Sequence, residues 1–490
     1  MAIRNLVGQT AIYGLPTIIG RLLNYLLVPL YTRLFIPSEY GIVGELYAWV
    51  ALVMVIATYG METAFFRFVS KEKNNPNVFS TAVLMLLTTS ITLFSVAFLF
   101  RDTVASAIGY ANHSEYIVWF AAILALDAIC MIPFARLRNQ ERPIRFAFLK
   151  TVNIATNIGF NLFFLLLCPF VLKNNPDSIL QMVYRPEIGV GYIFISNLLA
   201  SSLVALLLLP EFLQIRFKFD QKLAKTMLIY ALPVMIWGMA GILNETFDRI
   251  FMKYLIVDKS IAMAQVGIYT ACYKVAILMS LFIQAFRYAA DPFFFKQAEN
   301  PNAPEVYAKV MRYFVLACLM IFLVCSLFLN DIIRFIGPEY REGAVIVPIL
   351  LMANLFLGVF YNLSVWYKIT DKTKYGAYIS FVGAVITISL NILLVPIFGY
   401  IGAAWATLIC YVTIVLISYW LGQRHFPIPY PVKVLSLYTL GALTLYIVHH
   451  YVLDFSNIWI NRGTAFVFIA CFMGIAWWNE RKLGQFKKML

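Results

Sequence analysis

Residues 82–100 read AVLMLLTTSITLFSVAFLF, nineteen positions without one Asp, Glu, Lys or Arg. Few sequence features constrain a fold as tightly. About 20 mainly apolar residues in helical form cross the hydrocarbon core of a bilayer. The run lacks the polar–apolar alternation of a membrane β-strand, which excludes a barrel. Comparable runs lie near 6–32, 40–66, 78–100, 116–134, 147–171, 189–210, 226–247, 264–290, 312–330, 344–367, 376–397, 401–421, 432–452 and 460–478, giving fourteen candidate spans. Composition agrees, with 62% of the 490 residues hydrophobic and only 13% charged, where soluble domains carry about 25% charged residues. So many apolar side chains must face lipid. The chain is read as an all-α polytopic membrane protein of about 14 transmembrane helices.

The formal net charge is +14, and its distribution decides what it means. With the N-terminus placed in the cytoplasm, segments on that side hold 25 Lys and Arg residues and segments on the other side hold 10. The positive-inside rule then puts both termini in the cytoplasm, and the charge is topological, with no nucleic-acid partner implied. Trp477 and Trp478, just before the basic tail, suit an interfacial aromatic belt. The seven cysteines form no CxxC pair and no metal-ligand spacing with a histidine. No metal and no cofactor are expected. The first apolar run is too long for a cleavable signal, and the absence of a Walker A sequence leaves no built-in ATPase. Transport would run on a gradient or on the substrate's own downhill flux.

The chain repeats itself weakly. IYGLP (12–16) returns as IYALP (229–233), and YGIVGELYA (40–48) as VGIYTACYK (266–274), pairing Gly41 with Gly267 at a separation of 226. Asn161 pairs with Asn391, and RNQER (138–142) with KITDK (368–372), both at 230; IGVG (188–191) pairs with IGAA (401–404) at 213. The matches are collinear and fall at equivalent helix positions. Six helices per copy return the chain to the side on which it began, so the copies form a parallel repeat, with a substrate site expected at their interface. The domains expected are 1–218 (helices 1–6), 219–424 (helices 7–12), and 425–490, two further helices with a basic tail.

The segment VPLYTRLFIPSEYGIVGELYAWVALVMVIATYGMETAFFRFVS (28–70) carries Pro29, Arg33, a P-x-EYG element at Pro37–Gly41 and a G-x-E-x-A-x-x-R element at Gly60–Arg67. In these it resembles bacterial polysaccharide flippases of the multidrug/oligosaccharidyl-lipid/polysaccharide exporter superfamily. The resemblance extends over about 425 residues through the six-plus-six pattern, and is strongest over residues 1–70. It implies alternating access, a cationic cavity, and export of a polyprenyl-pyrophosphate-linked oligosaccharide across the bacterial inner membrane, for O-antigen of lipopolysaccharide, capsule or exopolysaccharide. Polysaccharide polymerase and glycosyltransferase partners, and H+ or Na+ as coupling ion, would accompany such an activity.

The residues themselves point the same way. Charges inside spans are costly and mark pathways or partners. Thr10, Gly14, Thr17, Arg21 and Asn24 fall on one helical face, where Arg21 would grip a phosphate through paired hydrogen bonds or pair with Glu45. Thr270, Lys274, Gln284, Arg287 and Asp291 form a second stripe, with Lys274 at a depth like that of Arg21 and Arg287 able to pair with Asp291. Lys150, Asn153, Asn157 and Asn161 form a third, suited to sugar hydroxyls or to packing between helices. Glu62 and Asp127 are candidate coupling acids or structural partners of Arg67 and Arg136. A multidrug/cation antiporter of the same superfamily would need an acidic cavity, which Arg21 and Lys274 oppose. A polysaccharide polymerase or ligase would need catalytic residues on a substantial outer loop, and the loops are short. A lipid II flippase is not separated from the first reading by these residues.

Overall fold

The computed structural model describes residue 20 and residues 22–489, apart from 73, 74, 76, 216–218, 299, 371 and 454–456. Among the described residues every regular element is a helix, as lipid demands: a backbone without water must satisfy its polar groups internally. Ten helices are long and apolar enough to cross a membrane, or eleven when the bent pair Lys259–Val275 and Ile277–Arg287 is taken as one span. Fourteen is therefore not reached among the described residues. The first candidate span lies mostly outside them. The sixth is a helix of 17 residues, Gly191–Leu207. The eleventh and twelfth merge into one 52-residue helical run, Lys374–His425, kinked at Gly399, whose φ of 54° and ψ of −133° are non-helical.

The elements that position functional residues begin with α1 (Val28–Leu34), α2 (Pro37–Thr58), α3 (Met61–Lys71) and α4 (Asn77–Leu99). Next come α5 (Ser114–Asn139), α6 (Pro143–Leu162), α7 (Gly191–Leu207) and α8 (Gln221–Thr246). They continue with α9 (Lys259–Val275), α10 (Ile277–Gln297), α11 (Ala303–Leu327) and α12 (Ile346–Leu363). The last three are α13 (Lys374–His425), α14 (Val432–Ile447) and α15 (Ile458–Met489). Several ends follow local rules. The Asp220 side chain accepts from Leu223 N at 3.0 Å to start α8, and Pro37 opens α2 with Glu39 reaching back to Ile36 N at 3.2 Å, a half-made capping box.

The chain packs as two compact units, one holding residues through 30 and 42–250, the other 31–41 and 251–490. This differs from the repeat boundary at 218 and 219. Helix α8, which carries IYALP, packs in the first unit: Leu223, Met227 and Ala231 join Met61, Phe65, Phe68, Val83 and Leu86 in one buried cluster. In that unit α5, α6 and α7 share a second cluster around Leu137, Phe146, Leu149 and Val204. In the second unit α14 and α15 are tied to α11 and its end. Arg312 meets Glu480 at 2.8 Å, and Arg462 grips Asp331 with two bonds of 2.9 and 2.6 Å.

The repeat has backbone counterparts. Gly189 (φ 50°, ψ −122°) and Gly399 (φ 54°, ψ −133°) share a conformation open to glycine alone, each at the entry to a late helix of its copy. Their separation is 210, so the true register here is three residues shorter than the 213 that IGVG and IGAA suggest. Asn161 and Asn391 also match. Each is fully buried, and each donates from Nδ2 to the backbone carbonyl four residues earlier at 2.8 Å.

Candidate functional site

In the first unit an accessible polar surface runs along α6. Lys150, Asn153 and Asn157 are half-buried on one face. Asn157 Nδ2 lies 3.4 Å from Asn24 Oδ1, and Asn161 Nδ2 donates to Asn157 Oδ1 at 3.0 Å. Amides thus run from the buried Asn161 to the exposed Asn24. The segment holding Asn24 approaches α6 closely, since a Cβ on Gly20 would meet the Ile154 side chain. Arg21, with IYGLP and the stripe Thr10, Gly14 and Thr17, lies outside the described residues. Lys150 and Asp127 stand within each other's field, Ser201 hydrogen-bonds Asp127, and the Lys150 ammonium sits 4.1 Å from the Phe134 ring. Nearby, Asn197 Nδ2 donates to the Tyr47 hydroxyl at 3.0 Å. Asp127 does not pair with Arg136, whose guanidinium lies over the Phe79 ring at 4.1 Å.

The second unit presents its cations differently. The stripe drawn from Thr270 to Asp291 assumed one straight helix, but α9 and α10 meet at 49°. Thr270 is buried and Lys274 half-buried, and Lys274 and Arg287 stand on opposite sides of the bend. The Arg287 guanidinium lies 3.8 Å from the Tyr361 ring centre. It has no carboxylate partner among the described residues, and the Asp291 side chain lies outside them. One turn earlier, Gln284 Oε1 is buried with no hydrogen-bond partner among the described residues.

Two further acids, Glu45 and Glu62, have partners within the protein. Glu45 is fully buried and accepts hydrogen bonds from Trp49 Nε1 at 3.2 Å and from the Tyr110 hydroxyl. Glu62 pairs with Arg138 at 2.6 Å and not with Arg67, which stacks on Tyr230 at 4.1 Å. The G-x-E-x-A-x-x-R element is thereby explained position by position. Gly60 (φ 74°) makes the turn between α2 and α3; Glu62 ties α3 to α5; Ala64, fully buried, lets α3 approach α8; Arg67 covers α8. Sequence reasoning missed Tyr47, Asn197 and Ser201, ordinary residues whose only signal is a polar group inside a span.

A polar and cation-bearing surface within a helical membrane scaffold is now in view, and comparison with known proteins gives it a context. The sequence profile of the polysaccharide biosynthesis protein family matches residues 6–297. The chain belongs to this family. An uncharacterized membrane protein of Methanocaldococcus jannaschii is 23% identical over 427 residues, covering 81% of this chain and 80% of its own. Among solved structures, the lipid II flippase MurJ in an inward closed conformation superposes with a TM-score of 0.73 at 15% identity, covering 95% of this chain and 99% of its own. The Vibrio cholerae MATE transporter VcmN gives 0.57 at 14% identity, over 86% of this chain and 97% of its own. A MOP superfamily transporter from Pyrococcus furiosus gives 0.57 at 13% identity, over 85% and 95%. These likenesses establish the fold. The chain is a multi-pass membrane protein with the architecture of flippases and transporters.

Proposed function

We propose that the protein flips a polyprenyl-pyrophosphate-linked oligosaccharide across the cell's inner membrane by alternating access, both termini lying in the cytoplasm. The observation that carries this reading is Arg287. Its guanidinium lies 3.8 Å from the Tyr361 ring centre, at the end of the apolar bent pair Lys259–Val275 and Ile277–Arg287. Stacking on Tyr361 leaves the edge donors of its planar fork available, which suits the paired oxygens of a phosphate. In the first unit the amide series Asn24, Asn153 and Asn157 offers donors and acceptors to sugar hydroxyls beside the Lys150 ammonium; Arg21 and Lys274 are further cations of the sequence. Asp127, facing Lys150, is the acid best placed to exchange a coupling proton. A multidrug/cation antiporter would need carboxylates where these cations stand. Glycans for O-antigen, capsule and exopolysaccharide share the pyrophosphate, as does lipid II.

The test is transport in proteoliposomes carrying a fluorescent polyprenyl-pyrophosphate glycan, with outer-leaflet substrate removed enzymatically. Arg287→Ala is expected to lower the flipping rate about a hundredfold, the scale on which one charge-assisted contact acts. Arg287→Lys, which keeps the charge but loses the fork, should retain part of it. Equal rates for wild type, Ala and Lys variants would remove the assignment.

A further inference from the structure

Asn161 and Gly189 match Asn391 and Gly399 of the other copy, but 27 residues lie between the first two and only 7 between the second two. The fold therefore reaches the same turn without the twenty residues that the first copy inserts. In the first unit the insert begins as an overlong helix. The π turn Phe163–Leu167 and the helix Cys168–Asn174 prolong α6, so that Pro143–Asn174 is one rod of 32 residues. At 1.5 Å per residue the rod is about 48 Å long, and a bilayer with its headgroups is about 40–45 Å thick.

The chain does not leave from the top of this rod. From Asn175 it folds back, and the 3-10 turn Ile179–Met182 packs beside Cys168–Asn174. Tyr184 stacks on Tyr192 at 5.1 Å, and Tyr192 stacks on Phe164 at 4.7 Å. Phe164 lies ten residues below Asn174, so the returning segment descends about 15 Å. Lipid reaches the levels it passes. Residues 151–172 hold no Asp, Glu, Lys or Arg, and Phe170 is 67% exposed. Alongside, the segment leaves Ile179 76%, Met182 85% and Val183 55% exposed.

Two further features suit that setting. Away from water a backbone must satisfy itself, and here the amides of Ser178, Gln181, Val183 and Tyr184 donate to backbone carbonyls. Leu180 N donates to Ser178 Oγ at 3.4 Å and Arg185 N to the Tyr192 hydroxyl at 2.6 Å. The tyrosines at the foot of the segment are the residue type that gathers where bilayer meets water. Lys173, Asp177, Arg185 and Glu187 surround it and are all exposed, as charges at headgroup level must be.

We propose that residues 175–185 form a lipid-binding wedge whose Ile179, Met182 and Val183 insert into the outer leaflet, just below the headgroups. The partner is the phospholipid surface itself, which the wedge fastens to the outer ends of α6 and α7. This rests on the orientation drawn from the basic residues and on no particular substrate.

In the Cys471→Ser background, which removes the exposed native thiol, Ile179→Cys and Met182→Cys are each labelled with an NBD maleimide. The proteins are reconstituted into vesicles of phosphatidylethanolamine and phosphatidylglycerol. Asn175→Cys, at the top of the rod, is the aqueous reference, and Val183→Cys replaces either wedge variant that loses the wild-type Tm. A nitroxide on the first carbons of a lipid acyl chain should quench the wedge probes about threefold more than the reference, and aqueous iodide about threefold less. Iodide quenching equal to the reference, without a response to the lipid nitroxide, would overturn the wedge. Protection of the wedge probes from both quenchers would overturn it too, because a second copy of the chain would then cover these side chains in place of lipid.

Discussion

The two sequence copies agree in backbone and disagree in charge. Asn161 and Asn391 make the same bond at the same distance, and Gly189 and Gly399 take the same turn. At the separation of 230 that aligns the asparagines, however, Asp127 and Lys150 fall on Leu357 and Ser380. At the separation of 226 that aligns Gly41 with Gly267, Lys274 and Arg287 fall on Ala48 and Met61. Each of these four charges thus stands at a position where the other copy has an uncharged residue. Duplication preserves what a helix needs in order to pack. Charge inside a bilayer persists only where something uses it, so the differences between copies are the places to test for function.

The largest effect is expected from making the first copy resemble the second. Asp127→Leu with Lys150→Ser removes both charges together, which avoids stranding either one and should cost little stability, within about 2 kcal/mol. Flipping in proteoliposomes should nonetheless fall about a hundredfold, the scale of removing a charge-assisted interaction from the working state. Unchanged flipping would show that this asymmetry is incidental and that only the second-copy cations matter.

Next in size is the pair of turn glycines, where the comparison becomes sharper. Alanine at either position must adopt a backbone conformation that costs on the order of 1–3 kcal/mol. At Gly189 a Cβ would meet open space, whereas at Gly399 it would overlap Gln265, whose Oε1 accepts from Tyr400 N at 3.1 Å. Gly399→Ala should therefore lower Tm clearly more than Gly189→Ala. Equal losses would mean that the turn alone, and not its packing, sets the cost.

How much of this was legible in the sequence depends on how far each signal travels. The spans were readable because lipid imposes a length and polarity that local residues alone satisfy. The pairing of Gly41 with Gly267 was readable as a repeat, but nothing in a sequence says that two equivalent residues touch. The partner of Glu62 was sought five residues away at Arg67 and lies at Arg138, because a helix packs against whatever the fold brings to it. The stripe through Lys274 crosses a bend that the sequence did not announce. The bend at Ala276 falls in ACYKVAILMS, which holds neither glycine nor proline to announce it. Tyr47, Asn197 and Ser201 became visible only when α2, α5, α6 and α7 were assembled.

The asparagines give a smaller and opposite-signed test. Asn161 donates to both oxygens of Asn157 one turn earlier on α6, so Asn161→Leu should lower stability by about 1 kcal/mol, the net worth of a typical hydrogen bond. Asn391 makes the backbone bond alone, and its Oδ1 is buried with no hydrogen-bond partner among the described residues. Removing an unsatisfied acceptor is close to neutral or stabilising, so Asn391→Leu should leave Tm unchanged or raised. Equal losses at both positions would indicate that the two bonds are interchangeable and that the amide series toward Asn24 has no weight of its own.

The smallest effect belongs to α15, which has no counterpart in the first copy. The Arg462 guanidinium holds the Asp331 carboxyl below its ordinary value of 3.8. A depressed carboxylate contributes stability that is complete above the unfolded value and is lost as pH falls through the folded one. Asp331 is partly exposed, so the contribution is modest, altering local protection of residues 458–470 by about threefold. Asp331→Asn should accordingly show slightly faster amide exchange there than wild type at pH 7. The difference should persist down to about pH 4 and vanish below the depressed value, where the wild-type carboxyl is protonated too. A difference that survives at pH 2 would mean that the asparagine perturbs packing at the end of α11, and that the ion pair is not what ties the added helices to the second unit.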